Sequence, residues 1–176
     1  MKIESELKKL RESSAYKDFL DKHPDAFFST AFLILEKNRE PKPQLDFFIP
    51  SEEKLSSFEH PYESFKVHDD KISNLQEQET NIKIDIDNLF ETVEGIIRNK
   101  SSNLVPNKII AVLSKDLWNL TCMDSMLGML RLKVNAKTTE SSSPEKANLM
   151  DFARIKGGDL GKKYDKAKEI TSSEQD

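Results

Sequence analysis

Apolar residues at Ile3, Leu7 and Leu10, then Tyr16, Phe19 and Leu20, recur among charged neighbours with the period of one helical face. The segment predicts an amphipathic helix. It is interruptible at Ser13-Ser14, where either hydroxyl caps a new turn, and it ends at His23-Pro24, since proline disfavours helical backbone at the residue before it. From Phe27 to Glu36 the alternation gives way to a nearly continuous apolar run, which predicts a central strand covered on both faces. Leu45, Phe47 and Ile49 then share one face of a second strand, opposite Gln44, Asp46 and Phe48, and Pro50 closes it. A third strand is predicted at Tyr62 to His68, with Phe65 and Val67 inward, and residues 69–80 read as a solvated polar connection.

Ile82, Ile84 and Ile86 alternate with Lys83 and Asp85, a short strand signal leading into a second helix. Its stripe is Leu89, Phe90, Val93, Ile96 and Ile97, with Asp87 or Asn88 as the cap, and it ends at Asn99 to Ser102. Three further strands follow at Lys108 to Ser114, around Trp118, Leu120 and Cys122, and at Met129 to Ala136, with a turn somewhere in Asp124 to Gly128. Short strands with short links form an antiparallel meander. The expected fold is therefore α+β, an antiparallel sheet with helices on one face in the order α-β-β-β-α-β-β-β. It occupies residues 1–138, divisible into halves 1–80 and 81–138, and residues 139–176 form a polar, mostly disordered tail. One apolar island, Leu149, Met150, Phe152 and Ile155, interrupts that tail and is suited to docking on this domain or on another protein.

Composition narrows the function. The chain has 176 residues, 36% hydrophobic and 33% charged, with a net charge of −4, so wholesale phosphate neutralisation is disfavoured and nucleic acid is an unlikely class of partner. That balance is an average. Residues 41–100 carry 13 acidic against 7 basic groups, whereas residues 101–140 carry 5 basic against 3 acidic, with Arg131 and Lys133 together on the outer face of the last strand. An anion could bind there, but the strands lack the interleaved aromatics that stack RNA bases. The single cysteine, the charge-alternating start Met1-Lys2-Ile3-Glu4-Ser5-Glu6 and the lack of any apolar run near the roughly 20 residues of a membrane span imply a cytoplasmic protein with no membrane partner.

Motifs for chemistry are missing. His23, His60 and His68, with Asp69 and Asp70, have no zinc-type spacing, so no metal and no cofactor are expected. Cys122 is in phase with Trp118 and Leu120, which points it into the core as a small apolar group. Gly157-Gly158-Asp159-Leu160-Gly161 follows no strand and cannot cradle a phosphate. No catalytic residue is assigned. The expected function is a non-enzymatic protein-interaction or regulatory domain, with a protein partner or a second copy as occupant. The candidate surface comprises Trp118, Met123, Met126, Met129, Leu149, Met150, Phe152 and Ile155. Alternatives are a small-ligand sensor with a pocket between helix and sheet near Trp118, and a peptide binder of the secretion-chaperone kind.

Residues Ile86 to Glu140, a helix followed by three strands ending Leu132-Lys133-Val134-Asn135-Ala136-Lys137-Thr138-Thr139-Glu140, resemble a PepSY-type unit. Members often close that strand with an Asp-Ala-Lys-Thr-Gly-Glu-like run. Asn135 stands here for the aspartate and Thr139 for the glycine, the residue that tolerates positive φ in the following turn. The resemblance implies an α-β-β-β fold; the extracytoplasmic inhibitory role usual for such units is not carried over. With Ala31-Phe32-Leu33-Ile34 and Gln44 to Pro50 included, the chain is also similar to small uncharacterised archaeal proteins of this layout, which implies a fold and no activity.

Overall fold

The computed structural model describes residues 1–100 and 103–147. The amphipathic opening forms two helices, α1 (Ile3–Glu12) and α2 (Ser14–Lys22), broken where the serines stand; the Ser13 side chain accepts from the Tyr16 N–H at 3.1 Å and caps α2. Strands β1 (Phe27–Glu36), β2 (Gln44–Ile49), β3 (Lys54–Glu59) and the two-residue β4 (Lys66–Val67) follow. Helix α3 (Ile86–Asn99) separates them from β5 (Lys108–Ser114), β6 (Leu117–Met123), β7 (Met129–Asn135) and β8 (Glu145–Lys146). All strands join one antiparallel open sheet in the order β4-β3-β2-β1-β5-β6-β7-β8, so two meanders run outward from a central β1–β5 pair. The α+β class is as the sequence predicts.

Register explains the core. Ala31 pairs with Leu45 and Leu113, Leu33 with Ala111, Leu113 with Trp118, and Trp118 with Val134, which puts all of these on one face of the pleat. Those residues, with Phe47, Leu120 and Cys122, belong to one buried cluster that also holds Ile3, Leu7 and Leu10 of α1, Phe19 of α2, and Leu89, Val93 and Ile97 of α3. Each large side chain so buried contributes about 1.5–3 kcal/mol of hydrophobic stabilisation. Phe19 anchors an aromatic group, its ring edge-on to Phe58 at 5.1 Å and close to Phe47 and Phe65.

Asp85 ties α1 to α3. Its carboxylate accepts from Ile86 N–H at 2.7 Å, opening α3, and from Ile3 N–H at 3.0 Å, where α1 begins. The cap is thus Asp85, not the predicted Asp87 or Asn88; Asn88 instead returns its side-chain oxygen to the Asp85 N–H at 2.8 Å, completing a capping box. On α1, buried Glu6 accepts from the Tyr62 hydroxyl at 2.9 Å and pairs with Lys9 at 2.7 Å.

Five expectations are corrected. The third strand lies at Lys54–Glu59 rather than Tyr62 to His68, because Ser56 and Ser57 are buried where their polarity reads as exposed; only Lys66–Val67 of the predicted stretch pairs. Residues 82–85 form no strand. Lys83 and Ile84 N–H both reach the Ala136 carbonyl, and Ile84 O receives the Trp118 indole N–H at 2.8 Å, so the backbone is satisfied outside any ladder. Within the polar connection, Gln78 is buried, bonded to Phe28 O and to both the backbone and side chain of Asp116. Finally, β1 is covered fully on one face only; Phe32 and Ile34 on the other are half-buried. The sheet also continues past residue 138, through the Val134–Ser141 bridge and β8.

Turn chemistry sets the second meander. Lys115 and Asp116, both at positive φ, form the two-residue link of the β5–β6 hairpin, the type I′ geometry that matches strand twist. Asp124 closes the β6–β7 loop by accepting from Met126 and Gly128 N–H, and a Cβ on Gly128 would stand 2.6 Å from that carboxylate. After β7 the Asn135 side chain accepts from Lys137 and Thr138 N–H, and Thr139 adopts φ 70°.

Candidate functional site

The face of the sheet opposite the core carries a groove of about 650 Å³ over β1, β5, β6 and β7, bordered by Ser142 and Glu145. Antiparallel register builds it from two ranks of opposed side chains. Phe32, Val112, Asn119 and Lys133 are successive partners in one, and Ile34, Ile110, Thr121, Arg131 and Glu145 in the other. The floor is therefore apolar toward the sheet centre and charged toward β7 and β8. Thr121 and Ile110 are 8% and 9% exposed, so the floor is already recessed.

Arg131 is the distinctive group. Its Nε and Nη2 are buried and meet no acceptor among the described residues, and no carboxylate among them forms an ion pair with it, although Glu145 is its partner in register. Buried donors on a charged group cost more than about 1–3 kcal/mol when unmatched. Such an arrangement favours an occupant bearing a carboxylate or another anionic acceptor, which would make charge-assisted bonds there.

A second polar cluster lies on the same face over the first meander. Ser57 Oγ and His68 Nε2 are 2.7 Å apart, and Gln44 donates from Nε2 to Asp46 Oδ1 at 2.8 Å and to Ser57 Oγ at 3.2 Å. Burial pushes the Asp46 carboxyl above its usual range, against the Ser57 and Gln44 hydrogen bonds that favour its anion. A serine nucleophile would need its histidine oriented by the acid; here Asp46 bonds Gln44, on the serine side. The cluster reads as a hydrogen-bonded patch. His23 and His60 are elsewhere, against Phe19 and Tyr62, and no group of three His, Cys, Asp or Glu side chains gathers among the described residues.

The candidate interaction residues scatter. Trp118 is entirely buried with its N–H on Ile84 O, which makes it part of the core rather than a surface. Cys122 is buried on the same face of β6, between Ile109 and Leu130 in register, and burial pushes its thiol up to about 12. Met129 is 5% exposed, Met123 is half-buried opposite it, and Met126 is 86% exposed at the turn between their strands. Leu149, Met150, Phe152 and Ile155 lie outside the described residues. The Arg131–Lys133 pairing on the outer face is where the alternation places it. The apolar half of the groove was missed, because Phe32 and Ile110 read as strand core; the signal was an apolar run in β1 with only one covering layer of helices to bury it.

No family model and no curated protein matches the chain. A solved structure of a candidate lipoprotein from Clostridium difficile 630 is similar over 76% of this chain and 90% of that chain, at 13% identity and a TM-score of 0.47. No helix among the described residues is long and apolar enough to cross a membrane.

Proposed function

We propose that the protein is a non-enzymatic interaction domain that holds an extended segment of a partner protein in the open-face groove. The reading takes the three helices as the cover of the opposite face, leaving this one for recognition. The observation that carries it is the pairing of an apolar floor, Phe32, Ile110 and Val112, with the unmatched guanidinium of Arg131 in one recess. Apolar side chains would supply burial and a carboxylate would supply register, a division usual in peptide grooves. Single-stranded nucleic acid fits less well, since the groove offers one aromatic, Phe32, and two cations, Arg131 and Lys133.

Selection from a displayed random-peptide library on the full-length chain tests the reading. Enrichment of peptides with apolar residues flanking Asp or Glu is expected, with at least tenfold weaker binding to a Val112→Asp variant whose Trp118 emission stays native. No enrichment, or selected peptides that bind the variant equally, would overturn it.

A further inference from the structure

The chain contains a segment of the chemistry the groove selects. Leu149-Met150-Asp151-Phe152 places one carboxylate among three large apolar side chains, and Ile155 follows three residues later. The described structure ends beside the groove. Ala147 N–H bonds Met129 O at 3.0 Å, Glu145 borders the groove opposite Arg131, and Met129 stands two residues from Arg131 on the same strand. Asp151 is four residues beyond Ala147, a reach of up to roughly 13 Å, while two strand residues span about 7 Å. The carboxylate is therefore within range of the guanidinium once the chain turns back over the open face.

Resting on the reading above, we propose that residues 149–155 are the resident occupant of the groove, with Asp151 on Arg131 and Leu149, Met150 and Phe152 over the apolar floor. A partner segment then competes with a tethered copy of its own chemistry. Asp151 supplies the complementary charge, since the groove presents Arg131 and Lys133 against Glu145 alone; Arg154 makes the segment neutral overall, so the match is local to Asp151. The tether favours it as well, because a short covalent link holds a segment at roughly millimolar effective concentration.

Methyl NMR of the full-length chain, reporting on Ile110 and Val112, tests the occupancy. Asp151→Lys and Arg131→Glu should each shift both sets of methyl signals, and the double charge exchange should return them toward their wild-type positions. Superimposable wild-type and Asp151→Lys spectra at these methyls, or no recovery in the double variant, would overturn the proposal. A peptide from the library selection is then titrated into wild type and Asp151→Lys. Binding at least tenfold tighter to the variant supports tethered competition. Equal binding, with unchanged methyl signals, removes the resident tail but leaves the partner groove standing. No peptide binding together with a working charge exchange does the reverse.

Discussion

Replacing Asp85 by alanine isolates the junction between α1 and α3. The carboxylate is 5% exposed and accepts from Ile86 N–H at 2.7 Å and Ile3 N–H at 3.0 Å, so truncation removes a helix cap and strands a buried backbone donor at the start of α1. Loss of an Asp cap costs about 1 kcal/mol, within a range of roughly 0.5–2. An unmatched buried N–H adds about 1–3 kcal/mol. The expected destabilisation is thus about 2–4 kcal/mol, read from urea unfolding followed by Trp118 fluorescence, with an unchanged m-value as the sign that only stability moved. Asp85→Asn is the companion. Its amide oxygen keeps both acceptor roles, and burial, the largest influence on this carboxyl, pushes its titration upward and so opposes the charge that the amide removes. The amide variant should stay within about 1 kcal/mol of wild type, well inside the cost of an unmatched buried donor. A loss below about 1 kcal/mol for alanine, or equal losses for both variants, would refute the acceptor argument.

Burial raises the folded-state titration of Asp46 above its unfolded value, so the folded state binds the proton more tightly. This group is then without penalty below the unfolded value of about 3.9, and stability falls as pH rises from there through the raised folded value; urea melts across that window should show a fall in wild type that is smaller in Asp46→Asn, and equal falls in both would refute the assignment. Thr139 holds φ 70° without a glycine's freedom, and Thr139→Gly should stabilise the fold by about 1 kcal/mol, the net of relieved strain and the added entropy of the unfolded chain, measured by thermal melting. Cys122, its thiol pushed up to about 12 and buried, should resist a disulfide-exchange reagent at pH 8 in the native state and react at the rate of unfolding; rapid native labelling would contradict its placement. Gly128→Ala should displace Asp124 from its bonds to Met126 and Gly128 N–H and cost about 1–2 kcal/mol, visible as earlier amide exchange in the β6–β7 loop.

Much of the fold is legible because its elements carry their own period. The stripe Leu89, Val93 and Ile97 announces α3, and Leu130, Leu132 and Val134 announce β7, since each needs only one buried face. The pattern fails at β3, where Ser56 and Ser57 are buried on a strand whose sequence reads as a turn, and at residues 82–85, where alternating isoleucines meet a helix and a carbonyl instead of a ladder. The site was half legible. Alternation alone puts Arg131 and Lys133 together on the outer face, but nothing local says that Phe32 of β1 lies three strands from Lys133.

The amino-acid sequence by itself determined the α+β class, five of the longer strands, the break between the first two helices and the inward Cys122. Each follows from residues near one another in the chain. Only the tertiary structure decided that β1 and β5 meet at the centre, that Asp85 joins α1 to α3, that Gln78 threads between β1 and the β5–β6 turn, and that Arg131 lacks a partner among the described residues beside an apolar floor. The reason is that pairing between distant segments depends on which faces are left over once every local preference is met, and that remainder is a property of the assembled sheet.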